Sequence, residues 1–123
     1  MLIDKTWNDL LPDDWMILAR TWLAGDETAS LKVVRMNFTA APEHQWRFIL
    51  VAVQLATTQD ELDHIAAGPI EHLLGWHGDK FIDRVEQQVA ADEKFRCALS
   101  NVRRYLMKDA VWSRVLALKA RKA

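Results

Sequence analysis

From Phe48 to Ala56 the chain reads Phe-Ile-Leu-Val-Ala-Val-Gln-Leu-Ala, with Gln54 its one strongly polar residue. Pro42 and Glu43 open this segment as a helix, in which Trp46, Ile49, Leu50 and Val53 hold helical spacing. A helix that is apolar on nearly every side must be covered by other elements to be stable in water. The segment therefore predicts the buried centre of a single domain, and the rest of the chain must supply its cover.

The cover is helical too. Trp15, Leu18, Ala19 and Trp22 fall at i, i+3, i+4 and i+7 behind Pro12, Asp13 and Asp14, and Ala24-Gly25 ends that helix. Residues 28–39 fit two patterns. Leu31, Val34 and Phe38 suit a helix, whereas Val34, Met36 and Phe38 alternate with Arg35 and Asn37 as in a strand. Helix is the assignment, because no second strand offers it a partner. Thr58-Gln59-Asp60-Glu61 is a capping box before Leu62, Ile65 and Ala66. Gly68 closes that helix, Pro69 starts another with Ile70, Leu73 and Leu74, and Gly75 to Gly78 reads as a turn. Residues 79–91 then bury Phe81, Ile82, Val85 and Val89. Asp92 caps a helix carrying Phe95, Ala98, Leu99, Val102 and Leu106, and Asp109 caps the last, with Val111, Trp112, Val115 and Leu116. Lys119 to Ala123 reads as a frayed tail. The expected fold is all-α, one domain over 1–123 with about eight short helices. Sequential antiparallel pairs in the α-solenoid style are one arrangement compatible with them.

The formal charge of -1 hides a division along the chain. Residues 60–93 carry nine acids against Lys80 and Arg84, and residues 94–123 carry nine bases against Asp109. These two segments hold net charges of -7 and +8, and residues 1–59 hold -2. The segments must meet either each other or a partner. The basic end, with Arg103, Arg104, Lys108, Arg114, Lys119, Arg121 and Lys122, raises nucleic-acid binding, and the sequence pI near 6.4 counts against it.

Familiar chemistry is missing: no phosphate-binding glycine loop, no Cys pair, no H-E-x-x-H and no nucleophile elbow occur. Cys97, the single cysteine, reads as a small buried residue and fits a reducing, cytoplasmic setting. The start, Met1-Leu2-Ile3-Asp4-Lys5, does not resemble a secretory leader, and no apolar run approaches the ~20 residues that span a bilayer.

The densest polar cluster lies between Gly68 and Asp79. His64, His72, His77 and Glu71 are possible metal ligands by type, yet their spacing puts no two imidazoles on one helical face. The bland alternatives are that His77 caps a turn and that His72 is solvated. Asp79, Asp83 and Glu86, at i, i+4 and i+7, form an acidic stripe suited to a cation, to acid–base work, or to plain contact with solvent or a partner. Of six tryptophans, Trp15, Trp22, Trp46 and Trp112 fit core stripes, while Trp7 and Trp76 are candidate exposed anchors.

Ala66-Ala67-Gly68-Pro69-Ile70-Glu71-His72-Leu73-Leu74, His77-Gly78, Phe81-Ile82-Asp83-Arg84-Val85-Glu86, Phe95-Arg96-Cys97-Ala98-Leu99 and Val111-Trp112-Ser113-Arg114-Val115 occur in that order. As a set they resemble a family of small bacterial helical domains of unknown function, over residues 42–117, with residues 1–40 lacking a counterpart. The resemblance implies a helical domain and no assigned activity. It singles out Glu71, His77, Asp83 and Glu86, and suggests positive φ at Gly68 and Gly78.

The expected function is a non-enzymatic protein-interaction module, with no cofactor and another protein as partner. Its candidate surface is Glu71, Trp76, His77, Asp79, Asp83 and Glu86. A toxin-neutralising inhibitor that covers a basic enzyme with an acidic face is one alternative. A metal-binding or hydrolytic domain built on His77, Asp83 and Glu86 is another, and nucleic-acid binding through residues 94–123 a third.

Overall fold

A computed structural model describes residues 6–120. The reading of the first five residues and the end of the expected tail lie outside them. Helices α1 (Pro12–Leu23), α2 (Glu27–Thr39), α3 (Pro42–Leu55), α4 (Gln59–Ile65), α5 (Glu71–Ala91), α6 (Glu93–Leu99) and α7 (Asp109–Lys119) follow one another. A short 3-10 turn spans Trp7–Asp9, a π-helical turn spans Ala66–Ile70, and no strand occurs among the described residues. The fold is all-α and forms a single compact domain.

Local chemistry sets the helix limits. Pro12 and Pro42 occupy first-turn positions, where a missing N–H costs nothing. The Asp26 carboxylate accepts from the Ala29 N–H at 2.9 Å and starts α2, while Gly25, at φ 87°, ends α1 in a conformation that only glycine adopts freely. The capping box at α4 is present: Glu61 N–H donates to the Thr58 hydroxyl, and Thr58 N–H donates to the Glu61 carboxylate, each at 3.1 Å. Thr57 N–H donates to the same carboxylate and, with these bonds, holds it below the usual carboxylate range. Asp92 caps α6 by accepting from Phe95 N–H at 3.2 Å.

Buried side chains converge on α3, which contacts α1, α4, the π turn, α5 and α6. Phe48, Ile49, Ala52 and Val53 are enclosed there, and the α1 stripe of Trp15, Leu18, Ala19 and Trp22 covers one side.

Four expectations change. Gly75 to Gly78 is not a turn, because α5 runs through it with a kink at His77 (φ -134°, ψ 21°). Pro69 does not begin a new helix. It cannot donate a backbone hydrogen bond, and the chain passes it by widening to a π turn between α4 and α5. Asp109 does not cap α7; it lies one residue inside, with Lys108 at the cap, and pairs with Arg104. Leu106 does not continue the α6 stripe. The helix stops at Leu99, and Leu106 sits 59% exposed in the left-handed region at φ 57°. A leucine there carries a steric cost of about 1–2 kcal/mol. Leu106→Gly, which loses little buried surface, should therefore raise unfolding stability by about 1 kcal/mol in a urea titration.

Candidate functional site

The charge division seen in the sequence closes inside the molecule. Helix α7 lies along α5, and Arg114 joins both Asp83 and Glu86, its Nε donating to Glu86 Oε2 at 3.0 Å. Those two carboxylates push the Arg114 guanidinium pKa further up. Lys108 pairs with Asp79. Outside this face, Lys119 donates to the Val102 carbonyl at 2.7 Å and stands over the Trp112 ring. Each acid of the Asp79, Asp83 and Glu86 stripe thus has a basic partner from the +8 segment. The groups stay largely solvated, so their worth lies in setting how α7 seats on α5 more than in raw stability.

The six residues of the candidate surface divide among three places. Asp83 and Glu86 lie with Arg114. Glu71 accepts from the Arg103 N–H at 2.9 Å and borders a polar cleft with Asp63 and Asn101. Burial raises the Glu71 pKa, against the opposing effect of that hydrogen bond. Trp76, His77 and Asp79 share a shallow cleft with Lys80, Lys108 and Val111. Among the described residues no three His, Cys, Asp or Glu side chains are placed to hold a metal ion.

Two glycines fix the kink from behind. A Cβ on Gly75 would overlap the Tyr105 carbonyl oxygen and stand 3.1 Å from the Tyr105 ring. On Gly78 it would lie 2.8 Å from a Val111 methyl. Close approach, not positive φ, is why glycine stands at Gly78, and Gly68 has open space and an ordinary φ. Pressed against the 101–111 segment on one side, the kink presents Trp76 on the other, 56% exposed. Trp7 is the contrary case: it is partly buried against the core, with the Lys32 ammonium 4.7 Å from its ring centre.

His64 and His72 are parts of aromatic contacts. His72 Nδ1 donates to the Gly68 carbonyl at 2.9 Å, while its ring meets Tyr105 on one side and the edge-on ring of Phe38 on the other, at 4.8 and 5.0 Å. His72 is thus half-buried and not simply solvated. His64 stacks on Trp22 at 4.2 Å, and burial holds its imidazole below the usual range. The unfolded chain then takes up a proton near pH 6.5 that the folded chain resists. The stability involved is fully present above pH 6.5 and lost as pH falls through the depressed folded value. His77, lowered by burial and by Lys80, adds with the same sign. The urea midpoint should fall between pH 7.5 and 5.5, and His64→Gln should flatten that slope.

The sequence reading missed the outer face of α2. Leu31, Val34 and Phe38, whose spacing suits a helix, are exposed at 69%, 54% and 59%. The buried stripe is Ala29, Lys32, Val33, Met36 and Asn37. The helix is apolar on two faces and the domain covers one. Thr28, Arg35 and Thr39 stand exposed beside the outer stripe, and Phe38 meets Trp76 across a cleft.

Residues 25–123 match the model of a family of unknown function, DUF6869. That span begins well before residue 42, so all of α2 lies within it. Comparisons with curated proteins and with solved structures gave no match.

Proposed function

The chain belongs to the family of unknown function DUF6869, and we propose that it is a non-enzymatic protein-interaction module whose recognition surface is the outer face of α2. One observation carries this reading: Leu31, Val34 and Phe38 form a continuous apolar line on a helix whose other face is already packed. An aligned apolar row rimmed by polar groups has the anatomy of an interface, unlike scattered single exposures. Spacing of i, i+3 and i+7 suits a second helix laid along the first. Arg35 beside the row favours a partner helix with a carboxylate flanking its apolar side.

The acidic stripe of α5 supports the same general role less well. Its charges already face Lys108 and Arg114, so little surplus remains to draw a basic partner. The toxin-neutralising, metal-binding and nucleic-acid readings draw no added support from this geometry.

The test is a photo-reactive residue at position 34 in cells that make the protein. A single discrete adduct with another protein, lost on Leu31→Glu while the fold is retained, is the expected result. An adduct only with a second copy, or adducts only from a probe at position 83, would overturn the assignment.

A further inference from the structure

The apolar row on α2 does not end at Phe38. Across a cleft of about 270 Å³ stands Trp76, and both rings are more than half exposed. The cleft is otherwise lined by Ala40, His77 and the buried amides Asn37 and Gln45. Leu106 lies next to the kink: a Cβ on Gly75, the residue before Trp76, would stand 3.4 Å from the Leu106 Cβ.

Both rings are held in place before anything binds. Phe38 meets His72 edge-on at 5.0 Å, and Trp76 is carried by a kink whose glycines are packed from behind. Two pre-ordered aromatic rings with room for a bulky side chain between them have the anatomy of an anchor pocket. The fold draws no benefit from a leucine at position 106, whose side chain is exposed and whose left-handed backbone is strained. Strain at an exposed apolar residue points to a contact made outside the chain. The charges beside this surface are uneven. Asp79 is engaged by Lys108, and Asp109 by Arg104. Among the described residues, the exposed Arg35, Lys80 and Arg103 enter no ion pair. Glu27 borders the opposite end of the row, beside Leu31.

We propose that the α2 row, the Phe38–Trp76 cleft and Leu106 together seat one amphipathic helix of a partner protein, anchored by a bulky apolar side chain in the cleft. Carboxylates flank the anchored end of that helix and face Arg35, Lys80 and Arg103, while a basic residue meets Glu27 at the other end. The proposal rests on the outer face of α2 being the interface, and adds to it an anchor pocket and the charge pattern of the partner. From Leu31 to Phe38 the row covers about 10 Å, so the cleft carries the contact beyond two helical turns.

The experiment is NMR titration of the whole chain, reading the Trp76 indole and the methyl groups of Leu31, Val34 and Leu106. The probes are two synthetic amphipathic helices of about 18 residues, or five turns. They share a leucine stripe that ends in one phenylalanine, and differ in whether Glu or Lys flanks that phenylalanine. Saturable shifts at all four residues are expected with the Glu helix at low salt. The Lys helix should bind about tenfold more weakly, with the difference shrinking as salt is raised. Trp76→Ala should weaken the Glu helix about tenfold without unfolding the domain, because the position is exposed. Leu106→Gly should weaken binding while raising the urea midpoint, two opposite signs that a purely structural leucine would not give. No saturable shift at Trp76, equal affinity for the two helices, or full binding by Trp76→Ala would overturn the proposal. If Leu31→Glu loses binding and Trp76→Ala keeps it, the α2 interface stands and the anchor pocket falls. The reverse pair of results removes the α2 interface itself.

Discussion

Gly75→Ala is expected to destabilise the domain by about 3 kcal/mol, at the upper end of the usual cost of overpacking. The atom its Cβ would strike is the Tyr105 carbonyl oxygen, part of the backbone and unable to swing aside as a side-chain tip would. Relief requires moving the 101–108 segment, which is anchored at Arg103 by Glu71, at Val102 by Lys119, and at Lys108 by Asp79. Urea unfolding measures the cost, and Gly68→Ala is the control. No atom lies near that position, so it should be neutral or gain about 0.5 kcal/mol from a less flexible unfolded chain. Equal behaviour of the two variants would show that the close packing behind the kink does not hold. The kink matters beyond stability, since it projects Trp76 toward Phe38.

Phe48→Ala is expected to cost about 4 kcal/mol, a large part of the 5–15 kcal/mol typical of a whole domain. Phe48 is fully enclosed in the central helix and meets Trp22 edge to face at 5.5 Å. Its truncation leaves a cavity in the helix that five neighbouring elements pack against. Phe38→Ala removes the same atoms from a ring that is 59% exposed, and should stay within about 0.5 kcal/mol of the parent. The contrast separates an aromatic that holds the fold from one that the fold leaves facing outward. Equal urea midpoints for the two variants would contradict the assignment of faces on α2.

The central helix was legible because Phe48 to Ala56 admits one environment only. Thr58, Glu61 and Asp92 were legible for a different reason: caps are local, and their partners lie three residues away. Helix α2 was assigned correctly, but the spacing of Leu31, Val34 and Phe38 that marks it as a helix lies on its outward face. Its strand-like alternation at Val34, Met36 and Phe38 arises because its apolar residues serve two sides, and Ala29, Val33 and Met36 already spelled out the second stripe. The kink at His77 was read as a turn because two glycines in four residues usually mean one. Here their missing side chains admit Tyr105 and Val111, contacts set by residues some thirty positions away. Of the candidate site, Trp76 was placed correctly in the open. Asn37 and Gln45 gave no signal, since an amide on a helix is unremarkable until its burial is known. Arg114 stood out as part of a basic run and of the Val111–Val115 motif, without a partner; its pairing with Asp83 and Glu86 follows from the packing of α7 on α5.

That pairing is central, because it turns two opposed charged segments into an internal contact and leaves the proposed recognition surface to the outer face of α2. A double-mutant cycle tests it. Arg114→Leu should lower the urea midpoint in the parent chain at low salt. In the Asp83→Asn, Glu86→Gln background, where the carboxylates are already neutral, the same substitution should change the midpoint little. Coupling of that kind, shrinking as salt is raised, is the predicted result. Fully additive effects, unchanged by salt, would mean that the acidic stripe and the basic helix do not engage each other.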